Sequence, residues 1–121
     1  MKTSRKSSTA LSANHLRRSH QLDRQFFLGF VRTHILFHAA ESPICGVEIT
    51  EELSHHGYRL SPGTLYPLLH GLATAGYLGC IPKVESGRVR KYYTITPRGR
   101  WALGEAKKRL KELVKEVLDE A

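Results

Sequence analysis

The sequence predicts a mainly α-helical fold with a small β-hairpin, an α+β arrangement. Three observations lead to this prediction. Two helical patterns are separated by a tight turn between residues 46 and 76, a basic hairpin pattern follows, and the chain ends in a helix with one apolar stripe. Helix, turn, helix and hairpin in this order indicate a winged helix-turn-helix, and the final stripe predicts a C-terminal dimerisation helix.

Length and composition limit the function. The chain's 121 residues fit one domain, and a formal net charge of +8 indicates a polyanionic partner, either nucleic acid or an anionic membrane surface. No apolar run approaches the ~20 residues of a membrane span, and the basic start lacks the apolar stretch of a signal peptide. We therefore expect a cytoplasmic, nucleoid-associated protein without membrane contact. Cys45 and Cys80 are predicted to be reduced, mostly buried thiols.

The residue pattern does not indicate catalysis. It contains neither a nucleophile–base pair nor a phosphate-cradling glycine loop, so we predict no enzyme activity and no cofactor. A metal site needs three or four converging ligands, and no Cys-x-x-Cys or His-Glu-x-x-His pattern occurs. His34 and His38, four residues apart, are predicted to fill a dimer interface, and no metal site is predicted.

Residues 1–22 differ from the rest of the chain. Ser, Thr and Asn alternate there with basic residues and no acid occurs. We predict a flexible basic arm that either seeks phosphates or only solubilises the chain. The DNA-binding domain is then predicted over 23–96 and the dimerisation helix over 97–121. The basic residues of the arm are Lys2, Arg5, Lys6, Arg17 and Arg18.

A very apolar helix is predicted from Leu22 to Ala40. Its apolar side chains cover too much of the circumference for a helix that is buried on one side only. In a domain of this size the second side belongs to another subunit, so we assign Phe27, Val31 and His34 to a dimer interface.

The reading helix is predicted to begin at Ser61 and Pro62. Ser61 can cap a free amide of the first turn, and proline suits the first helical position, where no donor is needed. The preceding helix, about Gly46 to His56, ends at Gly57. Small and hydroxyl-bearing side chains at the positive end of a helix suit a phosphate or a base edge. We predict that Ser61, Gly63, Thr64 and Tyr66 enter the major groove, with Arg59 on the DNA backbone.

The hairpin is predicted as a strand over 77–84, a turn over 85–88 and a return strand over 89–95. Its basic tip suits a wing that touches phosphates or the minor groove, and we assign this role to Arg88, Arg90 and Lys91. The alternative is a basic, solvated edge that only prevents aggregation.

The last helix is predicted to begin at Thr96-Pro97, by the same cap-then-proline logic. Its apolar stripe is a short heptad-like seam that either packs on the chain's own first helix or on a second copy. We prefer a homodimer, because twofold-related reading helices match a palindromic operator. The interface residues predicted on this helix are Leu103, Leu110, Leu113 and Val117.

Three segments resemble the PadR family of winged-helix transcriptional regulators, in its short form with one C-terminal helix. They are Gly46-Val47-Glu48-Ile49, the Pro62–Pro67 run, and the strand from Arg90-Lys91-Tyr92-Tyr93 to Gly99. The resemblance covers roughly residues 26–121, with departures at Gly71 and Ala73. It implies a dimer through the first and last helices. In some members aromatic residues on the last helix line a small-molecule effector pocket between subunits, so Trp101 either lines such a pocket or fills the core of the interface.

The sequence therefore predicts a homodimeric, sequence-specific binder of double-stranded DNA that represses transcription. The alternative is a winged-helix module that binds a protein partner. The net charge, the hydroxyl-rich reading helix and the basic wing favour DNA, because a protein-binding module needs no phosphate-facing surface.

Overall fold

A computed structural model describes residues 5–119, with side chains from residue 13 onward. The described chain divides into two compact units on either side of the Phe30–Val31 bond. No helix of the described chain is long and apolar enough to cross a membrane. The elements are α1 (Arg5–Glu41), β1 (Ile44–Cys45), α2 (Gly46–His55), α3 (Pro62–Thr74), β2 (Leu78–Glu85), β3 (Arg88–Ile95) and α4 (Pro97–Val117).

Helix α1 begins earlier than the predicted Leu22. It is helical from Arg5, through most of the segment predicted as a flexible arm, while residues 1–4, including Lys2, lie outside the described residues. Extending an existing helix orders only one residue for each hydrogen bond gained, whereas starting a new helix orders several. This segment also contains no proline that would stop the extension. At the other end the helix stops at Glu41, two residues before Pro43, as predicted.

The unit that precedes Val31 carries an exposed apolar stripe on α1. Leu22, Phe26 and Phe30 recur every four residues and are 49%, 59% and 47% exposed. The sequence predicted burial of this helix on more than one side, and in a single chain these three side chains are not buried.

The core of the second unit combines the end of α1 with α2, α3 and the sheet. The helix end predicted at Gly57 occurs, with a φ angle of +86°, and Gly76 ends α3 in the same way with a φ angle of +88°. After Gly76 the chain enters the hairpin, whose two-residue turn has positive φ at Ser86 and Gly87. The fully buried side chains with the largest volume are Ile35, Ile49, Leu53, Leu65, Leu69 and Val31.

The sheet has three strands in the order β1-β3-β2, all antiparallel. The hairpin was predicted, but β1 was not, because a two-residue strand is too short to show alternation. Ile44 and Cys45 pair with Tyr93 and Tyr92, so the entrance of α2 is hydrogen-bonded to the base of the hairpin. This pairing fixes the wing relative to the helix-turn-helix.

Helix α4 starts as predicted. Thr96 Oγ1 accepts a hydrogen bond from Gly99 N at 3.0 Å and donates to the Gly76 carbonyl at 2.6 Å. Gly99 is required at this position, because a Cβ atom there would lie 2.1 Å from the Tyr77 carbonyl oxygen. The helix therefore starts in direct contact with the backbone that leads into β2. Cys45 is buried as predicted, whereas Cys80 is exposed on the short, open sheet.

Candidate nucleic-acid interface

The first turn of α3 presents hydroxyl groups at the surface. Ser61 is the N-cap residue, and its carbonyl accepts hydrogen bonds from Thr64 N and Leu65 N at 3.0 and 2.9 Å. The prediction that its hydroxyl caps an amide is wrong, because that carbonyl already takes the nearby amides. Ser61 Oγ instead donates to Thr64 Oγ1 at 3.3 Å. The two hydroxyls therefore lie together at the positive end of the helix.

Tyr66 is positioned by the first residue of α2. A Cβ atom at Gly46 would lie 2.6 Å from Tyr66 Oη and 2.9 Å from its Cε1 and Cζ atoms. The ring therefore packs directly on the bare backbone of Gly46, and the side chain is still 46% exposed. An aromatic hydroxyl is thus held in a defined place where a ligand can reach it.

On the wing, Arg90 differs from the other two predicted cations. Its Nε lies 3.8 Å from Glu85 Oε1, and the same carboxylate accepts hydrogen bonds from Tyr92 Oη at 2.9 and 3.0 Å. That hydrogen bond, aided by burial and by the charge of Glu85, raises the pKa of Tyr92 to about 12. The nearby Glu85 carboxylate therefore orients the Arg90 side chain and offsets part of its positive charge. Arg88 and Lys91 are exposed and take part in no ion pair within the described chain.

A cleft of about 530 Å³ joins the reading helix to the wing. It brings together four predicted DNA-binding residues, namely Tyr66, Arg88, Arg90 and Lys91. The other four predicted residues do not line the cleft. Arg59, Ser61 and Gly63 are exposed at or just before the start of α3, and Thr64 is half-buried. Sequence reasoning missed the cleft residue His70, although it follows Tyr66 by one helical turn on the exposed face of α3.

The predicted dimer residues fall into two groups. Val31 and Leu103 are 0% and 6% exposed, so their assignment to an interface is wrong, because the subunit's own core already covers them. Phe27 and His34 are half-buried. By contrast, every residue from 107 to 119 on and after the second half of α4 is exposed. This stretch includes the predicted Leu110, Leu113 and Val117, which are 37%, 52% and 57% exposed.

Trp101 does not extend this stripe. It is 66% exposed and precedes Leu110 by nine residues, which at about 100° per residue places it on the opposite side of α4. An effector site between subunits near Trp101 stays a prediction.

Among the described residues, three histidines come close enough together to hold a metal ion. His56, the residue that follows α2, lies beside His34 and His38 of α1. One nitrogen atom from each of the three side chains lies within 4.8 Å of the other two. Burial, followed by the neighbouring His56 and His38, lowers the pKa of His34, which favours a neutral imidazole. The sequence contains His56 but does not show its approach to His34 and His38, because it lies on a different element and no spacing motif links it to them.

A reading helix and a basic hairpin on one cleft define the winged-helix class of nucleic-acid-binding proteins. Residues 35–105 match the model of the Transcriptional regulator PadR-like family, and the chain belongs to that family. This confirms the resemblance seen in the sequence.

Similar proteins agree with this assignment. The chain is 52% identical over 95 residues to the transcriptional regulator Rv3488 of Mycobacterium tuberculosis, which covers 78% of this chain and 89% of that one. A PadR-like transcription factor from Bacteroides fragilis superposes with a TM-score of 0.73 at 29% identity, over 84% of this chain and 99% of the other. A PadR-like regulator from Bacillus cereus gives 0.71 at 30% identity, over 78% and 94%. These matches are to regulators of transcription and confirm the winged-helix fold.

Proposed function

We propose that this chain binds a specific DNA duplex as a homodimer and represses transcription by occupying a promoter. The observation that carries the proposal is the cleft that Tyr66 of the reading helix lines together with Arg88 and Lys91 of the wing. One surface then offers hydroxyl donors for base edges beside cations for phosphates, the two kinds of contact that specific DNA binding requires. Such a regulator acts on the chromosome, in the cytoplasm at the nucleoid.

The two kinds of residue have different tasks. Ser61, Gly63, Thr64 and Tyr66 enter the major groove, where base edges carry a distinct pattern of donors and acceptors. The wing cations hold the adjacent backbone and set the register of the helix in the groove. Arg90, tied to Glu85 at 3.8 Å, contributes less charge than Arg88 and Lys91 and serves mainly to shape the cleft wall.

The homodimer rests on the second half of α4. An apolar stripe does not stabilise a helix whose whole surface is exposed to water. A second copy of the chain would cover the stripe and bury it. Two copies related by a twofold axis would present two reading helices to a palindromic operator. An effector near the interface would change the spacing of these helices.

The test has two steps. Bound sequences are first selected from a random duplex pool, and we expect a palindromic consensus. Thr64→Val should then weaken the selected duplex by about 1–3 kcal/mol and leave unrelated duplexes unaffected, because a base contact is lost while the phosphate contacts remain. Lys91→Ala should weaken all duplexes alike, because it removes a phosphate contact.

Lys108→Ala is the matched control, since Lys108 is an exposed cation on α4 that does not line the cleft. It should leave binding unchanged. A pool that yields no consensus would contradict sequence-specific binding. A Lys91→Ala variant that loses sequence preference but keeps its affinity for unrelated duplexes would contradict the division of roles between helix and wing.

A further inference from the structure

A cluster of three histidines lies outside the DNA-binding cleft. His34 and His38 are one turn apart on α1, and His56 is the C-cap residue of α2. Their rings stack nearly parallel, with the centroids of His34 and His56 4.7 Å apart. All three belong to the unit that follows Phe30, and none of them lines the cleft.

The environment of His38 suggests a missing ligand. Its side chain is 12% exposed, and its Nε2 atom is buried without a hydrogen-bond partner. The nearest acidic atom, Glu52 Oε2, is 3.9 Å away, which is too far for a hydrogen bond. Burying an unpaired polar atom is unfavourable, so native proteins rarely leave one. A cation bound at this nitrogen would remove the deficit.

Two carboxylates flank the same ring. Glu41 Oε1 lies 3.8 Å from Nδ1 of His38, on the side away from Nε2. This distance is too long for a hydrogen bond, but a carboxylate that moved closer would accept one from Nδ1–H, orient the ring and leave Nε2 free to bind a metal ion. Glu52 stands on the Nε2 side, where its oxygen could complete a ligand set. In a chain of net charge +8, these two acids also supply the local negative charge that a divalent cation needs.

We propose that His34, His38 and His56 bind one divalent transition-metal ion of the zinc class, with the Glu52 carboxylate at the fourth position. Three imidazoles and one oxygen are a ligand set typical of such ions, and hard cations such as Mg²⁺ prefer oxygen alone.

The three rings must turn before they can bind one ion, because stacked imidazoles point their in-plane lone pairs in nearly parallel directions. Zinc–nitrogen bonds of about 2.0–2.1 Å in a tetrahedron separate the nitrogens by about 3.4 Å. The histidine nitrogens already lie within 4.8 Å of one another. Rotation about the Cβ–Cγ bonds, whose energy wells are broad, would both turn the rings toward a common ion and bring the nitrogens together by up to about 1.4 Å.

Such an ion would connect two parts of the fold. His56 directly precedes Gly57, the positive-φ residue that starts the connection to α3. The bound ion would therefore fix the start of this connection to the end of α1. Any effect on DNA affinity depends on the proposed function, whereas metal binding itself does not and is measured without DNA.

The experiment titrates tag-free protein with Co²⁺ and follows its visible absorption, which is intense for a tetrahedral site and weak for a solvated or two-histidine site. His56→Asn is the main variant, because His56 is exposed and its loss should leave the fold intact. His55→Asn is the matched control, a neighbouring exposed histidine outside the cluster. Circular dichroism verifies that all proteins are folded.

We expect wild type and His55→Asn to bind one Co²⁺ with strong bands that Zn²⁺ displaces, and His56→Asn to lose the bands and at least about tenfold in affinity. Zn²⁺ should raise the Tm of wild type and not that of His56→Asn, because a ligand of the native state stabilises it. Absence of strong bands in wild type, or equal binding by all three proteins, would overturn the proposal.

Discussion

The exposed half of α4 leads to a prediction about assembly. Replacing Leu110 and Leu113 together by Asp should convert a dimer into folded monomers. Both side chains lie in a stretch that the subunit itself leaves uncovered, so their replacement removes contacts to a partner and few contacts within the chain. The helices of the subunit should survive, as measured by circular dichroism.

The size of the effect follows from the exposure of the two side chains. Complete burial of a leucine contributes about 1.5–3 kcal/mol. Leu110 and Leu113 are 37% and 52% exposed, so a partner can bury roughly half of each, worth about 1 kcal/mol per side chain. Because each change occurs twice in a dimer, about 4 kcal/mol is lost, roughly a thousandfold in the dissociation constant. Desolvation of the new carboxylates adds to this loss.

Sedimentation velocity at micromolar concentration measures the outcome. The control replaces Lys108 by Asp, which changes the net charge by the same amount on the side of α4 opposite to both leucines. The control should remain dimeric. A wild-type chain that sediments as a monomer, or a Leu110/Leu113 variant that sediments as wild type does, would show that these leucines do not hold a dimer together.

Two glycines give further predictions. Gly46→Ala should displace the ring of Tyr66, whose atoms lie 2.6–2.9 Å from the new Cβ, and reduce the affinity for the selected duplex in fluorescence anisotropy; because only a side-chain end has to move, the Tm should hardly change. Gly99→Ala should lower the free energy of unfolding by about 1–3 kcal/mol in urea denaturation, because its Cβ would meet the Tyr77 carbonyl oxygen. Gly104→Ala, with open space in the same helix, should instead raise it by about 0.5–1 kcal/mol, and equal losses at both positions would contradict the packing argument.

Local signals predicted the parts of the fold that neighbouring residues decide. Threonine before proline favours a helix start, and glycine after a helix favours a positive φ angle. Both predicted features occur, at Thr96 and at Gly57. The cap by Ser61 failed, because the backbone carbonyl competes with the side chain for the same amides. The strand β1 was missed because two residues carry no period.

Periodicity identified apolar faces but not what covers them. Leu103 and Leu113 belong to one stripe, yet the first is buried by its own subunit and the second is exposed. In the same way, the spacing of His34 and His38 was visible, whereas the approach of His56 depends on how α1 packs on α2. The cleft residues Tyr66 and Lys91 were predicted from local patterns. Tyr66 lies in the hydroxyl-bearing first turn of a capped helix, and Lys91 lies in a basic hairpin.

Contact between the cleft and DNA phosphates makes the affinity for DNA depend on salt concentration, and this dependence can be measured. Equilibrium binding of the selected duplex is measured over a series of salt concentrations. Cations from two subunits displace several condensed counterions, so the slope of log K against log salt concentration should be about −5 or steeper. Lys91→Ala should reduce its magnitude by about one per subunit. A slope near zero for the wild-type protein would show that the cleft does not bind DNA phosphates.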